Sequence, residues 1–337
     1  WGTPSGEEII GDVNICGHVL CRRWDESGDI NQQMFIATSM GLVSYLQDPD
    51  LISTTYTPDN EVTFGSMYQW RSHAAFTHIE EVVVMGNKAY GLSANSLFSV
   101  NKEDREIEYH TKLDGLSGSV IDHVEFNKQL NKMLITYKNG QLDIMSANGD
   151  IQNISDLFLK QMNVSKQVND ICMYQDKAIL AMSFGLLVVD MKKAEISDTY
   201  YIVENSSEQY VSHVALTENK IYASTDQGLY CANLTDNLMD YAYWTNIALP
   251  NGNKQVYSMK MFNNKIYLLQ NKKLYQLVDK TWKTISSPYA LRDLCVTENH
   301  LFGLPDNKEG VYEIHENSSV TEYIAYGYNF AIQEDGN

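Results

Sequence analysis

The sequence contains nothing that would cross a bilayer as a helix, since no stretch approaches about 18 consecutive apolar residues. It also has no basic patch. With a formal net charge of -18, its summed field would repel phosphate backbones and anionic headgroups, which argues against nucleic acid as a partner. The motifs of the common catalytic sites are missing: no G-x-S-x-G, no G-x-x-x-x-G-K-[ST] and no H-E-x-x-H occurs. No C-x-x-C pair is present either, and the five cysteines (Cys16, Cys21, Cys172, Cys231, Cys295) have no His at a spacing that would build a zinc site. They read as buried small hydrophobes, with a Cys16–Cys21 disulfide as the minor alternative. Proline is scarce, at 6, and charged residues make up only 20%. What is abundant is hydrophobic residue, at 44%, and tyrosine, at 22, a composition that suits many half-buried strands.

The chain repeats. Asn87-Lys88-Ala89-Tyr90 returns as Asn131-Lys132-Met133-Leu134, Asp176-Lys177-Ala178-Ile179, Asn219-Lys220-Ile221-Tyr222, Asn264-Lys265-Ile266-Tyr267 and, more loosely, Asn299-His300-Leu301-Phe302. The Lys or His positions step by 44, 45, 43, 45 and 35 residues, a period that marks a propeller or solenoid. Each unit is followed by a turn and a second apolar strand, such as Gly185-Leu186-Leu187 or Gly228-Leu229-Tyr230, which predicts hairpins. Before each unit lies a strand with apolar residues at relative positions 0, 3 and 5, as in Ile121/Val124/Phe126, Val211/Val214/Leu216 and Leu291/Leu294/Val296. A fourth strand follows each hairpin, as over 106–110, 198–202 and 282–285.

Four strands make a blade that cannot keep either face dry alone, so blades must stack around an axis. Gln33 to Thr38 and Gly41 to Tyr45 repeat the second and third strands, which adds a seventh unit. The expectation is therefore an all-β, seven-bladed β-propeller of four-stranded antiparallel blades. It forms one domain over 1–337, with a first blade at about 1–58, a connection at 59–75 and six further blades at about 76–330. Six or eight blades follow if the N-terminus packs differently, because the first strand of that unit is poorly marked. Ring closure is expected between the first blade and the C-terminal unit ending near Phe330, and a helical turn is expected within 155–164.

Relative position 2 of the innermost strands reads Glu81, His123, Asp170, His213, Ser258, Asp293. Acids and imidazoles placed close together can tune one another's proton affinities, so Glu81, His123, Asp170, His213 and Asp293 form the candidate axial binding ring. An enzyme reading, a polysaccharide lyase or hydrolase, would draw on the first four. The competing account is that any propeller places solvated polar residues around its channel. No catalytic residue, metal ligand or cofactor is assigned. The acidic stretch Asp306 to Gly310 lacks the alternating oxygen ligands of a calcium loop and reads as a turn. The Asn-x-Ser/Thr triplets at Asn153, Asn163, Asn205, Asn233 and Asn317 are near the number expected by chance.

Several segments together resemble a known family. They are Trp70-Arg71-Ser72-His73, Lys112 through Asp114-Gly115-Leu116-Ser117, Asn139-Gly140-Gln141-Leu142-Asp143-Ile144, and Asp176-Lys177-Ala178 through Phe184 to Asp190. Over roughly 70–250 this pattern is similar to the N-terminal propeller of PorZ-like proteins of Bacteroidetes. The propellers of hybrid two-component regulators share the Asp-Gly-Leu-Ser turn but less of the rest. The resemblance implies a non-catalytic protein, exported to the cell surface or periplasm, that works with the type IX secretion machinery and engages a protein or a surface polysaccharide such as lipopolysaccharide. The alternative it leaves is a ligand-sensing periplasmic propeller of a two-component system. The chain starts at Trp1 rather than Met, as a processed or partial chain would, without a signal-peptide pattern.

Overall fold

The computed structural model describes residues 79–204, 209–252, 255–297, 299–306 and 311–315. Outside them it gives the backbone of the strands Ile15–Trp24, Ile30–Thr38, Gly41–Leu46, Thr54–Tyr56, Val62–Phe64, Trp70–His73 and Val320–Tyr323. From Glu81 onward the chain is a succession of four-stranded antiparallel meanders, over 81–110, 121–154, 170–200, 211–247, 258–285 and 291–323, called blades 1 to 6 below.

Turn chemistry explains why the Asn-Lys units start strands. A two-residue type I′ hairpin needs positive φ at both central residues, which asparagine tolerates better than most. Asn263 and Asn264 lie at φ 48° and 59° between the strands Ser258–Phe262 and Lys265–Gln270. Asn271-Lys272 and Asp279-Lys280 have the same signature, so all three connections within blade 5 are turns of this kind.

The blades bury both faces by strand alternation. In Lys177–Met182, Ala178, Leu180 and Met182 enter a core shared with blade 2, while Ile179 and Ala181 enter one shared with blade 4. Each adjacent pair from blade 1 to blade 6 has its own apolar cluster, five in all among the described residues. Full burial of one such aliphatic side chain contributes about 1.5–3 kcal/mol, so these interfaces, not the blades singly, hold the fold together. The first strand of each blade packs on the first strand of the next, from Glu81–Met85 through to Leu291–Val296. Relative positions 0 and 3 are buried in blades 2, 4, 5 and 6, as the pattern predicts, at Ile121/Val124, Val211/Val214, Val256/Met259 and Leu291/Leu294.

This series corrects the blade count: the propeller has six four-stranded blades, not seven. Residues expected to form the first blade do make a four-stranded sheet, from Ile15–Trp24, Ile30–Thr38, Gly41–Leu46 and Trp70–His73. However, among the described residues the packed series of innermost strands and shared cores begins at Glu81. The physical reason is visible in the pattern. Second and third strands predict a hairpin, whereas membership of the ring depends on how the first strand packs, and Ile15–Trp24 offers the 0, 3 and 5 spacing only through the small side chains of Cys16 and Cys21 with Val19. Trp70–His73 was expected in a connection; it is the fourth strand of that sheet, pairing Leu42 with His73 and Tyr45 with Trp70. The helical turn is present as a short α-helix, Asp156–Leu159, with Leu157 buried. Closure near Phe330, the acidic turn at 307–310 and the Cys16–Cys21 pair lie outside the described residues.

Candidate functional site

The first strand of each blade has one edge facing the axis, where no further strand can pair with its amides. An unpaired edge is costly when desolvated and prone to adding foreign strands. In blades 1, 2 and 3 the side chain at relative position 2 meets that demand by reaching to the next blade. Glu81 of blade 1 accepts from the Val124 amide of blade 2 at 2.7 Å, and Asp170 of blade 3 accepts from the Val214 amide of blade 4 at 3.1 Å. His123 of blade 2 places Nε2 at 3.1 Å from the Val168 carbonyl at the entry to blade 3. In blades 2, 4 and 6 a register shift lies just before this position, between Ile121/His123, Val211/His213 and Leu291/Asp293. A bulge of this kind re-aims the side chain that follows it.

The five predicted residues do not form one cluster. Glu81 Oε1 lies 2.6 Å from His123 Nδ1, so these two are a pair. With a carboxylate on one ring nitrogen and a carbonyl on the other, both nitrogens donate and the ring is an imidazolium. Burial opposes that charge, but the hydrogen bond and charge of Glu81, aided by Asp122 and Asp170, raise the His123 pKa to about 9. Asp170 also binds Lys260 Nζ of blade 5 at 3.2 Å, a contact between non-adjacent blades that must cross the axis. Lys260 is pushed above the usual lysine range by Asp170, then, against desolvation, by Glu125 and Asp293.

His213 stands apart from this pairing. Burial lowers its pKa, despite Asp170 and Asp293 nearby. The Ser212 hydroxyl lies 3.2 Å from the Ser224 carbonyl and 3.0 Å from His213 Nδ1, so it sits between two possible acceptors within its own blade. Asp293 is exposed, and its carboxylate accepts from the adjacent Leu294 amide at 2.7 Å. Among the described residues no group of three or more His, Cys, Asp or Glu side chains is arranged to hold a metal ion.

Two axial residues escaped the sequence reading, Glu125 and Lys260. Both sit at relative position 4, two residues beyond the chosen ring on the same side of their strands, so strand periodicity extended by one step would have found them. Glu125 is open to water yet surrounded by protein. Burial raises its pKa to about 7, Lys260 opposes, and Glu81 and Asp170 add to the rise.

A pH dependence follows. His123 has a folded value of about 9 against 6.5, so its contribution to stability is fully present below pH 6.5 and is lost as pH rises through 9. Glu125, raised to about 7 from 4.5, acts with the same sign, its contribution being lost between those values. Urea unfolding should therefore show stability falling from pH 6 to pH 10 by up to about 3 kcal/mol from His123, at about 1.4 kcal/mol per pKa unit. His123→Gln should flatten the profile above pH 7, and an unchanged slope in that variant would refute the assignment.

Two of the segments that carry the family resemblance, 112–117 and 139–144, converge elsewhere. Asp143, fully buried in blade 2, accepts from the Ser117 amide at 2.7 Å, from Tyr137 Oη at 2.6 Å, from Asn153 Nδ2 at 2.8 Å and from the Ser117 hydroxyl. The Asp-Gly-Leu-Ser turn is pinned by this carboxylate, and Asp114 itself closes a capping box on Thr111. These bonds hold the turn against the blade.

The comparisons with known proteins agree with this geometry. Residues 89–245 match the family model of the N-terminal β-propeller domain of PorZ. The structure of PorZ from Porphyromonas gingivalis, described as an essential bacterial surface component of the type-IX secretion system, aligns at 27% identity and a TM-score of 0.66. Over residues 89–245 the propeller is similar to the N-terminal propeller of PorZ. That alignment covers 74% of this chain and 33% of the P. gingivalis protein, so the PorZ-like chain spans about a third of its relative's length. Virginiamycin B lyase from Staphylococcus aureus aligns at 12% identity and a TM-score of 0.57 over 75% of this chain and 86% of its own. The β-propeller domain of Cps50 (Swd1) from Myceliophteria thermophila aligns at 8% and 0.54, covering 76% of this chain and 90% of its own. Both show a likeness of fold. No curated protein matches the chain. Among the described residues, no helix is long and apolar enough to cross a membrane.

Proposed function

We propose that this chain is a non-catalytic, exported binding propeller that works with a type IX secretion apparatus at the cell surface, where it engages a protein partner or a surface polysaccharide. The observation that carries this reading is the PorZ family match over 89–245, reinforced by alignment to a PorZ structure across 74% of the chain. The axial geometry supports a scaffold role. Glu81, His123 and Asp170 are committed to bonds between blades, whereas an active site would need convergent groups left free to meet a substrate. The test is an affinity pull-down of the tagged protein from outer-membrane extract of its own host, with a deletion strain scored for release of secreted cargo. Recovery of a secretion component and loss of cargo at the surface are expected. Recovery of neither a secretion component nor polysaccharide, with normal secretion in the deletion strain, would reject the reading.

A further inference from the structure

At the outer circumference, between blades 1 and 2, lies a crevice of about 430 Å³ that takes no part in the axial ring. Its floor is apolar, from Met145, Ile151 and the buried ring of Tyr90. Its walls carry one cation, Lys88, and two carboxylates, Glu108 and Asp114. Lys88 Nζ lies 2.5 Å from Glu108 Oε2, so one carboxylate is neutralised and one unit of negative charge remains. Asp114 Oδ2 accepts from the Thr111 amide and hydroxyl, both at 2.8 Å, which leaves its other oxygen for a ligand. His110 bonds Ser99 Oγ through Nε2 at 2.8 Å and rests against Tyr90 with ring centroids 5.4 Å apart. Desolvation lowers the His110 pKa, so this ring adds no positive charge at neutral pH. Across the mouth, Gly149 has open space where a Cβ would stand.

An apolar floor and surplus negative charge together select a particular chemistry. Anions meet Asp114 and Glu108, while a neutral polyol gains nothing from the excess charge. A cation gains from the carboxylates and from the field of a chain with net charge -18, while its aliphatic arm gains from the apolar floor. We propose that this crevice is a binding site for an organic cation, an ammonium or guanidinium carried on a short aliphatic arm that lies along Met145 and Ile151. Lys88 then acts as the built-in competitor, holding Glu108 until the ligand replaces it.

The cation could be a free diamine or the arginine or lysine side chain of a partner, and the test separates the two. Agmatine and a blocked Gly-Arg-Gly peptide are titrated into the protein by calorimetry, with amide shifts followed at Gly149, and methyl glucoside and acetate serve as controls. Saturable binding is expected for at least one cation. Glu108→Gln should weaken it roughly tenfold, as loss of one charge-assisted contact does, and Lys88→Met should tighten it by a similar factor. Ala147→Trp, at an exposed position beside the mouth, should block binding with the melting temperature unchanged. Binding of the peptide alone assigns the cation to a partner chain; binding of agmatine as well assigns it to a small amine. Failure of both cations to bind, an affinity indifferent to Glu108→Gln and Lys88→Met, or equal shifts with methyl glucoside would overturn the proposal.

Discussion

Gly185→Ala is expected to destabilise the propeller by more than about 3 kcal/mol, enough to populate unfolded protein in a domain of ordinary stability. Gly185 opens the third strand of blade 3, Gly185–Asp190, with φ at 128°, a conformation that residues with a Cβ rarely adopt. An added Cβ would stand 2.4 Å from the Tyr200 carbonyl oxygen. That oxygen belongs to backbone and is held in place because Tyr200 pairs with Leu186 in the same sheet. The backbone strain alone is of order 1–3 kcal/mol, and the collision adds to it. Two other glycines serve as internal controls. Gly228, the equivalent in blade 4 at φ 141°, would meet the Asn246 side-chain nitrogen at 3.0 Å, a group that can move aside, so Gly228→Ala should cost less. Gly149, at φ 92° with nothing within 4 Å of its added Cβ, should show backbone strain only. Urea unfolding of the three variants should rank them in that order, and an equal loss in all three would show that the collision at Tyr200 is relieved at no cost.

The ranking also marks what could be read in the sequence. Gly185 and Gly228 were visible as turn residues opening third strands, because a repeat at a fixed period puts equivalent residues in equivalent turns. That one collides with backbone and the other with a side chain depends on the fourth strand beside it, which no periodicity records. The same distinction governs the axis. Reading every second residue from the start of each first strand located Glu81, His123, Asp170, His213 and Asp293. The bonds of Glu81, His123 and Asp170, however, join blade to blade, and the Asp170–Lys260 contact joins blades two apart. A one-dimensional pattern gives the layer of a residue but not which neighbour it meets. The sequence pattern overcounts the blades for a related reason. A hairpin at 33–45 is locally indistinguishable from a blade's middle strands, while admission to the ring is settled by packing of a first strand whose pattern was weak.

Asp143→Ala tests whether the residues of the family resemblance are architectural, and the expected loss is about 3–5 kcal/mol, typical of deleting one partner from a buried charged network. The carboxylate is fully buried and collects four donors, from Ser117 twice, Tyr137 and Asn153. Removing it strands the Tyr137 hydroxyl, whose ring is itself buried, and the Ser117 amide, and an unsatisfied buried donor costs about 1–3 kcal/mol. Tyr137→Phe removes a single donor and leaves the carboxylate three others, so it should cost only about 1 kcal/mol. The double variant should lose less than the sum of the two single losses, because Tyr137→Phe removes one of the donors that Asp143→Ala orphans. Chemical denaturation reads the energies, and amide exchange at Ser117 reports whether the Asp-Gly-Leu-Ser turn opens. A stable Asp143→Ala protein with a protected Ser117 amide would mean that the turn is held by its own capping box around Thr111 and Asp114, leaving the buried carboxylate without a structural role.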